Sequence, residues 1–279
     1  MLIRIVLILL SLSSMFGLGL RIEKKELGSW SKFVPILLFA FLWNFGILPI
    51  SVFFTGKLLE ISPFAFAAIF LCASSPGGAS GGLFVLRAKG NPALGGLLIA
   101  LLNGANTILT PLIFSIYQGG KGFDPDLFVK LFLIGFFLQG LPLLLGLGCK
   151  YFFSKTFDPI APWVERFSTF CLIFSIILLI VQYGEFALTL GPVTWIGACL
   201  AVLISLLPGI LVFRSEKETK ASLSMVSGIR SLSLALLLAE LHIKHSETLL
   251  TVLMYGTVMY LLSAIAAEFW KGRNSHSVV

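Results

Sequence analysis

Apolar stretches of about the length that spans a bilayer recur from end to end of this chain. Short connections carrying Gly, Pro, Asp and Lys separate them. A helix needs roughly 20 apolar residues to cross the ~30 Å hydrocarbon core, so each stretch is a candidate transmembrane helix. The 279 residues are 57% hydrophobic and 12% charged, against roughly 25% charged in a soluble domain. We therefore expect a single all-α integral membrane domain with nine spans, at residues 2–20, 33–54, 64–88, 92–117, 127–149, 161–183, 193–213, 220–243 and 246–270. No connection is long enough to hold a second domain, and no low-complexity segment is present.

The basic residues set the orientation. Arg21, Lys24, Lys25, Lys32, Arg87, Lys89, Lys150, Lys155, Arg166, Arg214, Lys217, Lys220, Lys271 and Arg273 fall on one side of the expected spans. Arg4, Lys57, Lys121, Lys130 and Lys244 fall on the other. Lys and Arg concentrate in cytoplasmic loops, which puts the N-terminus outside and the C-terminus in the cytoplasm of a plasma (inner) membrane. The net charge of +7 is thus a topology signal and gives no reason to expect nucleic acid. A cleaved signal peptide is the alternative for the first span, but no A-x-A-like site follows it. Cys72, Cys149, Cys171 and Cys199 lie in or at the ends of apolar runs, where cysteine packs as a small hydrophobe rather than forming disulfides or a zinc site.

Two spans contain helix breakers. The third carries Ser74-Ser75-Pro76-Gly77-Gly78-Ala79-Ser80-Gly81-Gly82, and the eighth weakens around Ser227-Gly228-Ile229-Arg230-Ser231. At membrane depth, irregular backbone survives only inside protein or beside a watery cavity. A glycine-rich packing surface would explain one such stretch. Two breaks five spans apart match an inverted-repeat transporter, in which discontinuous helices meet at the substrate site. Free N–H groups at half-helix N-termini would then face an anion. Arg230 is the only full charge placed deep in a span, where a cation costs at least about 2.5–3.5 kcal/mol. It pairs either with backbone carbonyls or with an anionic substrate. Asn44, Asn103, Asn106, Thr107, Gln139 and Gln182 add a polar interior.

The segment "SSPGGASGGLFVLRAKGNPALGG" resembles a helix signature of the bile acid:sodium symporter family, a Pro-Gly-Gly break followed by a Lys-Gly turn. "SLSSMFGLGL", "LLFAFLWNFGILPI", "ILTPLI" and "SMVSGIRSLSLALLLAELH" resemble further family segments in the same order, so the likeness covers almost the whole chain. It implies a crossover fold in which a panel (about 2–20 and 127–183) lies beside a core (about 33–117 and 193–270). The substrate would lie between them, with Gly77, Gly78, Ala79, Ser80, Gly228, Arg230, Ser231, Asn44 and Asn103 as candidate contacts.

The chain departs from the family where the resemblance places sodium ligands. Ligand positions on the first broken helix fall at Gly81 and Gly82, and those on the following helix at Gly95 and Ile99. The glutamate of the second broken helix becomes Val226, its glutamine Arg230 and its asparagine Ser231. Sodium needs several oxygen ligands; Gly81, Gly82, Gly95 and Ile99 supply no side-chain oxygen, and Val226 removes the negative charge. Sodium is therefore not expected, no other cofactor is implied, and Arg230 is a candidate built-in cation.

The expected function is secondary transport of a small organic anion. Proton coupling lacks a deep acid or histidine, because Glu185, Glu240, His242 and Glu268 fall near span ends, where solvated roles are expected. A non-transporting membrane sensor or partner and an auxin-efflux-type carrier are the alternatives. The sequence has no HExxH, GxSxG or Walker loop that would suggest an enzyme, and it leaves oligomeric state open.

Overall fold

A computed structural model describes residues 2–21, 30–78, 80–118, 123–187, 190–212 and 215–275. Of the sequence-derived candidates, Ala79 lies outside these, as do Lys24, Lys25, Lys121 and Arg214 and the side chains of Gln182 and Glu185. The described residues are helical apart from turns and short connections, and no strand occurs among them.

In chain order the helices are α1 (Leu2–Arg21), α2 (Trp30–Leu42), α3 (Leu48–Leu58), α4 (Pro63–Ala73), α5 (Gly81–Arg87), α6 (Pro92–Gln118), α7 (Pro125–Gly135) and α8 (Leu141–Phe152). They continue with α9 (Ser154–Phe157), α10 (Ala161–Ala187), α11 (Pro192–Leu206), α12 (Pro208–Leu211), α13 (Lys217–Gly228), α14 (Leu232–Leu238) and α15 (Ser246–Ser275). Among the described residues, six helical stretches are long and apolar enough to cross a membrane: Arg4–Arg21, Lys32–Leu58, Pro92–Tyr117, Pro125–Phe152, Pro192–Leu211 and Ser246–Arg273. The molecule is an integral membrane protein.

Several helices begin on a cap-proline pair. Ser62 accepts from Ala65 N at 3.3 Å, Asn91 from Leu94 N at 3.1 Å and Asp124 from Leu127 N at 3.0 Å, each immediately before a proline. The cap satisfies one free N–H, and proline at the first helical position has none to satisfy. Two single-turn π segments, Trp43–Ile47 and Phe136–Gly140, join α2 to α3 and α7 to α8. Pro49 and Pro142 stand two residues beyond their last residues. A proline in mid-helix cannot donate to the carbonyl four residues back, and widening the preceding turn accommodates the ring.

Helix α1 packs against α8 and α10, while α4 and α11 pack against α15. The first group meets the rest where α1 contacts α14 and α10 contacts α15. Both interruptions expected from the sequence are present. The first separates α4 from α5 and the second separates α13 from α14.

Candidate functional site

The two interruptions pair with each other. Pro76 and Arg230 form an isolated antiparallel bridge. Gly78 N donates to Ile229 O at 3.1 Å, and Ser231 N donates to Ser75 O at 2.8 Å. Each broken segment thus satisfies backbone groups that the other has freed, as low-dielectric surroundings demand.

The sequence builds this crossing from glycines. Gly77 holds φ +82°, and a Cβ on it would sit 2.9 Å from Asn103 Nδ2. At Gly78 a Cβ would lie 2.9 Å from the carbonyl carbon of Arg230 and 2.8 Å from Ile229 Cγ2. Only glycine permits the two backbones to approach this closely. Gly228 serves packing, since a Cβ there would run into Leu206 and reach Ser263 Oγ at 3.4 Å.

Helix α6 supplies the remaining partners. Asn103 Nδ2 donates to Gly77 O and to Ile99 O, the latter at 3.0 Å. Asn106 Nδ2 donates to Pro76 O at 3.3 Å, and the Thr110 hydroxyl reaches Ser74 O at 2.5 Å. Residues three and four apart share a helix face, so these three side chains line the break in one row. Asn44 Nδ2 braces the second interruption by donating to Ser227 Oγ at 3.0 Å. Gln139 Nε2 reaches Ser233 Oγ at 3.4 Å.

Arg230 is 2% exposed. Its guanidinium runs to the C-terminal end of α4, where Nη1 lies 3.4 Å from Ala73 O, and Tyr255 and Cys72 lie alongside. No carboxylate among the described residues pairs with it, and its Nε and Nη2 meet no hydrogen-bonding partner there. A helix C-terminus carries partial negative charge, so the cation is placed against carbonyl dipoles.

Of the positions that the resemblance assigns to sodium ligands, Gly81, Gly82, Gly95, Ile99 and Val226 lie in apolar packing. Cβ atoms on Gly81 and Gly82 would meet Ile99 Cδ1 at 3.5 and 3.7 Å, and one on Gly95 would meet Val85 at 3.0 Å. Val226 is fully buried and Ile99 is 3% exposed.

Beside the crossing lies a cavity of about 200 Å³, between α1 and α10 on one side and the interruptions on the other. Gly78, Ser80, Arg230 and Ser231 border it, whereas Gly77, Gly228, Asn44 and Asn103 do not. Ser13, Ser14, Ser168, Thr169, Ser233 and Tyr260 also line it, with Arg21 and Glu165. Arg21 and Glu165 form an ion pair, and Ser80 Oγ and Tyr260 Oη share a hydrogen bond of 3.1 Å. These contributions from α1, α10, α14 and α15 were not among the sequence-derived candidates for substrate contact. Adjacent hydroxyl pairs inside apolar spans, Ser13-Ser14 and Ser168-Thr169, are the signal that could have found them.

One charge stands where the sequence did not suggest it. Glu240, expected in a solvated span end, is 7% exposed and pairs with Arg4 at 2.6 Å. It lies in the π segment Ala239–Ile243 that continues α14, which turns it toward α1. Arg230 is therefore not the only buried charge.

Residues 6–190 match the Sodium Bile acid symporter family. A probable chloroplast sodium/metabolite cotransporter of Arabidopsis thaliana is 25% identical over 263 residues, 92% of this chain and 65% of that protein. The hepatic sodium/bile acid cotransporter of Rattus norvegicus is 30% identical over 123 residues, 44% of this chain and 34% of that protein. The human sodium/bile acid cotransporter 4 is 25% identical over 180 residues, 64% of this chain and 40% of that protein. The chain spans less than two thirds of the length of each of these relatives. Together with the membrane helices, the match assigns it: the chain belongs to the sodium bile acid symporter family, a family of transporters and not of enzymes.

Proposed function

We propose that this protein is a secondary transporter that moves a small organic anion by alternating access, with Arg230 standing in for the family's sodium. The observation that carries the proposal is the Arg230 guanidinium at the C-terminal carbonyls of α4, buried and without a carboxylate partner among the described residues. A fixed cation there neutralises helix-end dipoles that would otherwise call for a bound cation. It also repels a sodium ion nearby. At the family's ligand positions, Gly81, Gly82, Gly95, Ile99 and Val226 offer sodium no side-chain oxygen.

In this proposal the chain crosses the membrane nine times, with the N-terminus outside, and the two interrupted helices form the crossover. Helices α1, α7, α8 and α10 form the panel, and the other long helices form the core. The substrate occupies the 200 Å³ cavity between them. Its hydroxyl lining and the field of Arg230 favour a small anion bearing hydrogen-bonding groups. The volume is below the ~300 Å³ at which sites for drug-sized ligands begin.

The test is counterflow in proteoliposomes loaded with a pool of small carboxylates, run in sodium and in choline. Exchange of equal rate in both buffers, lost in Arg230→Gln, is the expected result. A saturable sodium requirement would sink the ion-free mechanism, and no counterflow with any acid would sink transport itself.

A further inference from the structure

Arg4 and Glu240 join two parts of the molecule that the other described ion pairs leave unconnected. Arg21–Glu165 and Lys150–Asp158 lie within the group α1, α8 and α10 or its connections. Arg87–Glu268 joins α5 to α15, and Lys271–Glu268 lies within α15. Arg4–Glu240 runs from α1 to the π segment at the end of α14, so it bridges the interface on which the cavity lies.

Its place along that interface is informative. Arg4 and Arg21 lie roughly 25 Å apart along α1, at 1.5 Å per residue. The cavity occupies the Arg21 end of α1, where Leu10, Ser13, Ser14, Gly17 and Arg21 border it. Toward the Arg4 end the interface is closed: α14 packs on α1 and α7, and Gln139 reaches Ser233. The Arg4 side chain is about half exposed, whereas that of Glu240 is 9% exposed. Parting α1 from α14 would leave the glutamate without its cation in a poorly hydrated place, and such a loss is costly.

We propose that the Arg4–Glu240 pair is the lock that holds the Arg4 face shut, and that it must break before the cavity can open there. The proposal rests on the transporter reading above, because only alternating access requires that opening. The pair favours the state open toward the Arg21 end, and neutralising either partner shifts the population toward the opposite state.

The experiment places a cysteine at Ser233 in vesicles and adds an impermeant maleimide at the face carrying Arg4, without substrate. Labelling at position 233 is read by peptide mass spectrometry, so Cys72, Cys149, Cys171 and Cys199 do not confuse it. Arg4→Gln and Glu240→Gln should each raise the labelling rate several-fold, and Arg4→Glu combined with Glu240→Arg should return it toward the parent rate. If Glu240→Gln does not fold, Arg4→Gln carries the test alone, since its side chain is half exposed. Equal labelling in the parent and in Arg4→Gln overturns the lock, whether or not counterflow is seen. Labelling that rises while the parent shows no counterflow leaves the lock standing and overturns the transporter proposal.

Discussion

Asn103 donates its side-chain amide to the carbonyl of Gly77, the glycine that holds φ +82° in the first interruption. Both the bond and the turn are buried, with Asn103 2% exposed. Removing the amide in Asn103→Ala strands a carbonyl away from water, at a cost of about 1–3 kcal/mol. Gly77→Ala strains the same turn from the other side, through its φ and the approach to Asn103. Both variants should melt several degrees below the parent in detergent, as read by the thermal midpoint of intrinsic fluorescence. An unchanged midpoint for Asn103→Ala would show that α6 does not hold the break.

Gly78 and Gly82 lie four residues apart yet should respond oppositely to the same change. A Cβ at Gly78 meets the Arg230 backbone, where nothing can yield without parting the two interruptions. At Gly82 the nearest atom is Ile99 Cδ1 at 3.7 Å, an ordinary contact. Gly78→Ala should therefore abolish counterflow and lower the midpoint. Gly82→Ala should be neutral, or stabilising by up to about 1 kcal/mol through helix propensity. Equal damage from both would mean that the crossing is not the constraint described here.

The ion chemistry gives a third expectation. With Arg230 at the end of α4 and apolar packing around Gly81, Gly82 and Gly95, sodium chloride and choline chloride at equal ionic strength should give thermal midpoints within about 1 °C. Arg230→Lys keeps the charge but loses the planar fork that spreads its donors, so its stability should fall between those of the parent and Arg230→Gln. A sodium-dependent rise of several degrees in the parent would overturn the substitution of arginine for sodium.

The two breaks were legible in the sequence because their cause is local, whereas the backbone pairing of Pro76 with Arg230 was not. A proline followed at once by paired glycines favours an interruption through its own local chemistry, and Arg230 is conspicuous among apolar neighbours. Asn103 and Asn106 were visible only as part of a polar interior, and Thr110, which completes their row, was not singled out. The purpose of the row depends on which helix α6 faces, which spacing along one helix cannot say. Ser13 was hidden differently, since its hydroxyl already bonds Leu9 O at 2.7 Å within its own helix and reads as a structural residue. Glu240 lies 236 residues from Arg4. Nothing near it in the chain shows that the π segment carries it to α1, so it was placed at a solvated span end.

The hydroxyl that Tyr260 shares with Ser80 at 3.1 Å gives the last prediction, about selectivity. Both side chains border the cavity and both are partly exposed, so Tyr260→Phe should leave the thermal midpoint close to that of the parent. An anion bearing a hydroxyl or keto group would lose one hydrogen bond, and a polar site discriminates against a mismatched partner more strongly than an apolar one. The apparent affinity for such acids should fall several-fold, while that for unsubstituted short-chain acids stays the same. Competition of each acid against counterflow measures both, with a steroid carboxylate included because 200 Å³ is too small to enclose one. Strong competition by the steroid, together with an unchanged profile in Tyr260→Phe, would place the substrate outside this cavity.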